Sequence, residues 1–507
     1  MKNSILGLLS AVSAIILGPA SMEARNSHVE TYVYPVGQMV ATDFTTDSKI
    51  IRSSEIYSVK VEGQEQFVLT TGAAREDVDR FFPPVDKDSY KAVDSPAICA
   101  FGCRGSVEVE IVLKDGSIEE CAVLPLSKKP KYSVRKDAVR IKMKPYDRYI
   151  VRINGNETDL LLLFANPLQS EMGVAEDDPD VIRYKAGNVY VNEFIRPRDG
   201  QTVFIEGGAI VYGRIEAVGK SVHINGPGVL NCTPERNAKG VYLNKCHDCT
   251  LRNLIVLNKA SWATAICQST GIKVDNWHAV STYSPYDKAG VNNDTCDLFG
   301  SNTVSITRGF SYCHDDAFCI KSHKFAWKGE VFDVSYNDCI SYAVDGGNGI
   351  DLGYELNEDV RNLSYKNMYI VRSNGTRCEM RRGAIALHNA AGGTVDGVTY
   401  ENIYVEDPRE FGFHMAILES EYSIGMDPVT KQQLYWSKPG HVRNVKVKNL
   451  HILKTPPYGY YISGYDEDHK FNIEFDGLYI GGKKVKSLEA FKRLPNVTIR
   501  HAEVIIK

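Results

Sequence analysis

From about Ser170 onward one short phrase keeps returning, and no other feature of this 507-residue chain limits its fold so tightly. The phrase reads apolar, any, apolar, any, then a small or amide residue. It appears as Val222-His223-Ile224-Asn225-Gly226, Cys249-Thr250-Leu251-Arg252-Asn253 and Ile272-Lys273-Val274-Asp275-Asn276. Later copies are Val334–Asp338, Leu363–Asn367, Val398–Asn402, Val445–Asn449 and Ile473–Gly477. Apolar residues at period 2 line one face of a strand. A single such strand cannot bury that row, but coils stacked on one another share a core. Most spacings run between 23 and 35 residues, which excludes a strict leucine-rich solenoid and suits coils whose turns accept insertions. A β-propeller would need about 40 to 50 residues per blade and paired hairpins. The pattern therefore predicts an all-β chain with a right-handed parallel β-helix over 169–507, its Asn residues stacked in ladders from coil to coil.

Upstream the grammar differs. Val107–Val112, Val139–Met143 and Tyr149–Ile153 alternate in the same way but are separated by hairpin-like turns at Lys114-Asp115-Gly116 and Asn154-Gly155-Asn156. Residues 25–168 are accordingly expected to form a β-sandwich with a structural or accessory role. Residues 1–24 read as an export signal, with Lys2, an apolar run from Ile5 to Leu17, and small residues at Gly18, Ala20 and Ala24. A secreted or periplasmic protein without a membrane span follows. A net charge of −4 with no basic block gives no reason to expect nucleic acid as a partner. Cys246 and Cys249 form a lone C-x-x-C without a second pair at zinc-ligand spacing. Cys249, Cys267, Cys296, Cys313, Cys319 and Cys339 read better as buried, stacked side chains.

Chemistry concentrates between Val291 and Ser322. Asn292-Asn293-Asp294 is followed by His314-Asp315-Asp316-Ala317-Phe318-Cys319-Ile320-Lys321-Ser322, with 21 residues from Asp294 to Asp315. That gap is close to one minimal coil, so Asp294 and the Asp315-Asp316 pair should sit on neighbouring coils, about 4.8 Å apart in backbone. Carboxylates so close repel, which raises at least one pKa. Glycoside hydrolysis needs such a set: a protonated acid for the leaving oxygen and an ionised base for water. Asp residues that cap turns or hold a structural cation are the plainer alternative for each residue taken singly.

These segments resemble the catalytic region of the polygalacturonase and dextranase superfamily, glycoside hydrolase families 28 and 49. The resemblance rests on Asn292-Asn293-Asp294, on Asp315–Ser322 and on Gly347-Asn348-Gly349-Ile350-Asp351-Leu352-Gly353, and runs from roughly Gly200 to the C-terminus. It implies Asp315 as general acid, Asp294 and Asp316 as activators of water, inversion of configuration, and a polysaccharide or oligosaccharide substrate. Asn292, His314, Lys321, Asn348 and His388 become candidate sugar contacts; no cofactor and no metal is implied. Two departures bear on the sugar. Asn348 stands where polygalacturonases have a His, and Ala386 and His388 stand where they have the Arg and Lys that grip a uronate. The dextranase-like branch lacks that pair too and also places a β-sandwich first, so a dextranase-like enzyme on a neutral or differently charged glycan is the favoured reading. A polygalacturonase-like pectin hydrolase is the alternative. A β-helical lyase and a non-catalytic glycan-binding protein are the rival classes. Arg381 and Arg382 read as a solvated turn, with replacement of the missing cationic pair as the alternative. Trp277 and Trp327 suit core packing or sugar stacking, and Glu419 and Glu421 lie near the expected groove. An insertion at Tyr422–His441 is a candidate block for one end of it.

Overall fold

The computed structural model describes residues 28–35, 53–71, 96–232, 239–257, 261–281, 293–324, 327–344, 346–373, 382–420 and 439–507. The export segment, Asn292, Arg381, Glu421 and most of Tyr422–His441 lie outside these residues.

Among the described residues, regular secondary structure is nearly all strand. The main body is a 29-stranded sheet that begins at Val181–Tyr184 and ends at Ala502–Ile506, wound so that strands pair in parallel with those one coil later, apart from the antiparallel Lys483–Val485 near its end. Three rows of strands result, the architecture of a parallel β-helix. The repeated phrase supplies the first row: His223–Asn225, Thr250–Arg252, Thr270–Asp275, Val331–Asn337 and their successors stack in register. One copy escaped the pattern. Asn302–Thr307 occupies the coil between Thr270–Asp275 and Val331–Asn337, yet its phrase ends on Arg308. Arg308 takes the left-handed corner, φ 57°, which is Asn276 on the coil before and Asp338 on the coil after, and its Nε donates to Asp275 Oδ1 at 2.8 Å. An ion pair thus does there what an amide does elsewhere.

The expected Asn ladders are present. Asn276 Nδ2 donates to Asn253 Oδ1 at 3.0 Å, and Asn253 Nδ2 to Asn225 Oδ1 at 2.8 Å. A second run links Asn449, Asn402, Asn367 and Asn337 through contacts of 2.8, 3.1 and 2.9 Å. Asn tolerates the left-handed corner and its amide both donates and accepts, so one residue type makes the turn and satisfies the next coil. Inside the barrel the apolar column stacks likewise: Tyr336, Tyr365 and Tyr400 lie ring on ring at 5.0 Å.

Upstream are two further sheets. One has six strands, including Ala97–Cys103, Arg148–Ile153 and Leu161–Asn166; the other has five antiparallel strands centred on Val107–Leu113. A single apolar cluster draws on both, joining Val59, Val109 and Ile141 to Phe101, Val151 and Leu163. The other face of the six-stranded sheet, through Ile98, Ile150, Leu162 and Phe164, packs on the second row of coils at Ile255, Val280, Phe310 and Ile340. Fully buried Arg148 crosses that seam to pair with Asp338 at 2.8 Å. With the second row covered, the outer face of the third row is left for chemistry. The described cysteines are all free thiols, and apart from Cys121 all are buried.

Candidate active site

The third row contains Thr264–Cys267, Cys296–Phe299, Phe318–Lys321, Ile350–Tyr354, Gly383–Asn389, Phe411–Ile417 and Gly459–Ser463. Alternation divides each strand. Cys296, Leu298, Phe318, Ile320, Ile350, Leu352, Ile385 and Leu387 enter the core. Their neighbours point outward and fall into two columns. One reads Ala265, Asp297, Cys319, Asp351, Ala386, His414, Tyr461 in strict register. The other contains Cys267, Phe299 and Lys321, then Gly353, His388, Ala416 and Ser463.

The three aspartates precede these strands. Thr295 N donates to Asp316 O at 3.0 Å, and Cys296 pairs with Phe318, so Asp294 stands opposite Asp316 on the next coil. One coil further, Ala317 N donates to Asn348 O at 3.0 Å, which adds Asn348 to the same stack. The coil-length gap in the sequence therefore does bring Asp294 and the Asp315-Asp316 pair together.

Their surroundings differ. Asp316 Oδ1 accepts from Asn348 N at 2.9 Å, Asn348 Nδ2 at 2.8 Å and Arg382 Nη1 at 2.6 Å. That oxygen is fully engaged, and Oδ2 is the one left for a ligand. Burial, reinforced by the Asp294 charge, pushes the Asp315 carboxyl well above the ordinary range, although Arg382 Nη1 lies 3.0 Å from its Oδ1. Burial also raises Asp294 to about 6, with Lys321 pulling the other way. Asp294 Oδ1 has no hydrogen-bond partner among the described residues.

Arg382 overturns the reading of a solvated turn. It is 8% exposed and pairs with both aspartates. Its own N donates to Glu410 Oε2 at 2.9 Å, and the following Gly383 N donates to Asn348 Oδ1 at 2.9 Å. Coil register, which no local pattern encodes, pulls this arginine onto the carboxylates. Asn348 in turn spans three partners: Asp316, Gly383 and, at 3.3 Å, Asp351 Oδ1. Where an imidazole was expected to be missing, an amide organises the coil.

Asp351 is a fourth carboxyl that sequence reasoning passed over. It is buried, raised well above the ordinary range by burial and by Asp316, and accepts a hydrogen bond from Cys319 Sγ at 3.1 Å. Its parity with Asp297 and Cys319 in the outward column was the available signal. Asp294, Asp316 and Cys319 bring ligand atoms within 4.8 Å of one another. Burial holds the Cys319 thiol protonated and it donates to Asp351, so it is a poor metal ligand.

Lys321 is buried, with Nζ 3.6 Å from Glu355 Oε2. His314 is buried, and its N donates to Asn293 Oδ1 at 2.9 Å. His388 lies in the outward column but is fully buried, stacked on Tyr354 at 4.6 Å and 2.8 Å from His414 Nδ1 through Nε2. Burial, aided by Arg382, lowers its pKa to about 3, so the imidazole is neutral. Trp277 belongs to the core, whereas Trp327 joins Trp262 and Phe299 on the outer face. Glu419 is exposed and accepts from Tyr465 OH at 3.2 Å.

Residues 154–493 match the model of glycosyl hydrolases family 28. The chain belongs to that family. Among curated family relatives, a probable endopolygalacturonase I of Aspergillus flavus is 29% identical over 195 residues, 37% of this chain and 46% of that protein. An endopolygalacturonase of Emericella nidulans is 26% identical over 191 residues, 37% of this chain and 44% of its own length. The chain thus spans less than half the length of these curated relatives. In fold it is similar to Dex49A from Penicillium minioluteum, with a TM-score of 0.59 at 14% identity over 95% of this chain and 98% of the other. Among the described residues no helix is long and apolar enough to cross a membrane.

Proposed function

We propose that this chain is a glycoside hydrolase that cleaves O-glycosidic bonds of a polysaccharide or oligosaccharide with inversion of configuration. The carrying observation is the contrast within the aspartate set. Burial and the Asp294 charge raise the Asp315 carboxyl well above its ordinary range, while Asp316 Oδ1 accepts three hydrogen bonds, one of them from Arg382. A carboxyl raised by burial suits the acid, and a neighbour whose oxygen is held by three donors suits a positioned base. Asp315 gives its proton to the leaving oxygen as the bond to the anomeric carbon breaks. Asp294 and Asp316 take a proton from the water that attacks the opposite face. Arg382 stabilises the charge left on Asp315 after transfer. Its guanidinium, bound to two carboxylates and more basic than usual, is unsuited to be the base of a lyase.

For the substrate we favour a neutral glycan, as in the dextranase-like reading. Ala386 and neutral His388 offer no cation to a uronate, and the column that contains Ala386 also carries the carboxyls of Asp297 and Asp351. The alternative, a pectin hydrolase, draws support from the endopolygalacturonase relatives. The remaining assignments complete the proposal: 1–24 as export signal, 25–168 as a β-sandwich, 169–507 as a right-handed catalytic β-helix, and a secreted or periplasmic location. Purified protein is to be offered dextran and polygalacturonic acid, with the anomeric configuration of the first product followed by NMR. Inverted product from dextran supports the proposal. A retained anomer refutes the mechanism, and turnover of polygalacturonate alone refutes the sugar assignment.

A further inference from the structure

Beside the carboxylates stands an aromatic cluster that the hydrolytic chemistry does not use. Trp262, Ala265, Cys267 and Phe299 form an apolar cluster separate from the core, on the outer face of the third row, with Tyr242 and Trp327 packed against it. Ring centroids lie 4.9 Å apart for Trp262 and Phe299, 5.5 Å for Phe299 and Trp327, and 5.9 Å for Trp262 and Trp327. Trp327 belongs to an insertion. Strand His323–Lys324 leaves the coil of Lys321, and Trp327–Lys328 returns antiparallel to it. The return reaches back across two coils: Trp327 Nε1 donates to Tyr242 OH at 2.9 Å, and Lys328 O accepts from Gln268 Nε2 at 3.0 Å. Tyr242 pairs with Ala265, and Ala265 with Asp297, so the insertion lies across the outward column on the N-terminal side of the aspartates. Lys239 Nζ sits 4.5 Å above the Trp262 ring and 5.0 Å above that of Trp327, at the top of the cluster.

The distance from this wall to the chemistry is short. Ala263 N donates to Asp294 O at 2.8 Å, so Trp262 is one coil from Asp294. Phe299 pairs with Lys321, whose Nζ is 5.8 Å from the ring centre. One coil is about 4.8 Å high, roughly the length of a single pyranose ring. On the other side the columns continue through Gly353, which has no side chain, and Ala386, which has only a methyl, so the floor there is low. Resting on the hydrolase reading above, we infer that the enzyme is exo-acting: the wall of Trp262, Phe299 and Trp327, topped by Lys239, closes the cleft one sugar from the catalytic aspartates. Only a chain end can enter, its terminal pyranose resting against the half-buried Trp327 ring that Trp262 and Phe299 back from beneath, and each hydrolysis frees one monosaccharide.

The full chain is to be incubated with reducing-end-labelled oligosaccharides of defined length, from dextran and from polygalacturonic acid. The expected early products are a monosaccharide and a chain shorter by one sugar. Early products from internal bonds overturn the inference while leaving the hydrolase reading intact. Turnover of neither series overturns both. Trp327→Ala opens the wall, and several-fold more internal cleavage by the folded variant is expected from it. Lys239→Ala, a lighter change at the mouth, should raise the KM for the shortest chains and leave kcat alone. If neither variant alters the product pattern or KM, the wall is not a subsite and the inference falls.

Discussion

Replacing Asp294 with Asn should make this protein more stable at neutral pH and nearly inactive. Burial moves the carboxyl from its ordinary 3.8 to about 6. At 1.36 kcal/mol per tenfold change in proton affinity, the ionised form carries a penalty of about 3 kcal/mol in the folded state. The sign follows from linkage. A raised folded-state pKa means that folding takes up a proton, so the favourable contribution is complete below pH 3.8 and is lost as pH rises through about 6. Asp294→Asn removes that dependence. Its advantage over the parent should therefore be near zero at pH 3.5 and approach about 3 kcal/mol at pH 7.5, less whatever the new amide fails to satisfy. Over the roughly 340 residues of the β-helix, at about 2.1 cal/mol/K per residue, that is about 4 °C in melting temperature. Calorimetry of both proteins at the two pH values, with hydrolysis measured in parallel, makes the test. A variant no more stable than the parent at pH 7.5, or equally stabilised at pH 3.5, refutes the reasoning. Strain of this kind is common where a site must hold a charge that the fold does not favour.

Three further outcomes are expected. Asp315→Asn should keep the fold and lose at least about 100-fold in kcat, in line with the loss of a general acid; a variant retaining substantial hydrolysis would remove Asp315 from that role. Arg382→Met leaves two buried carboxyls without their cation and should cost about 3–5 kcal/mol of stability as well as activity, with Arg382→Lys restoring part of the stability but not the two-carboxylate geometry; melting temperatures of the pair decide. The acid limb of kcat/KM should have an apparent pKa of about 6, since Asp294 must be ionised to accept a proton and activity falls as pH drops through that value; a limb near 4 would point to another base.

The parts legible in the sequence were those governed by period 2 and by coil length. Asn253, Asn276, Asn367, Asn402 and Asn449 announced the corners because amide side chains serve both the left-handed turn and the neighbouring coil. Asp294 and Asp315-Asp316 were legible because 21 residues fit one minimal coil. Arg382 was not, since an arginine just before a strand has the signature of solvent exposure. Its burial follows from Gly383 meeting Asn348 across a coil whose length depends on residues far upstream. Asp351 was hidden inside a Gly-rich motif that drew attention to Asn348. The aromatic wall was hidden for a different reason: Trp262 lies outside the repeated phrase, and Trp327 reaches it only through an insertion that sequence spacing cannot aim.

The columns of the third row have an evolutionary consequence. Each coil places one residue in each column, and the backbone ladder that holds it is indifferent to the outward side chain. Substrate preference can therefore drift one coil at a time, as at Ala386 or His414, without disturbing the aspartates two or more coils away. Lineages sharing this scaffold can exchange sugars by single substitutions, and grafting outward residues between them should transfer specificity more readily than grafting whole loops.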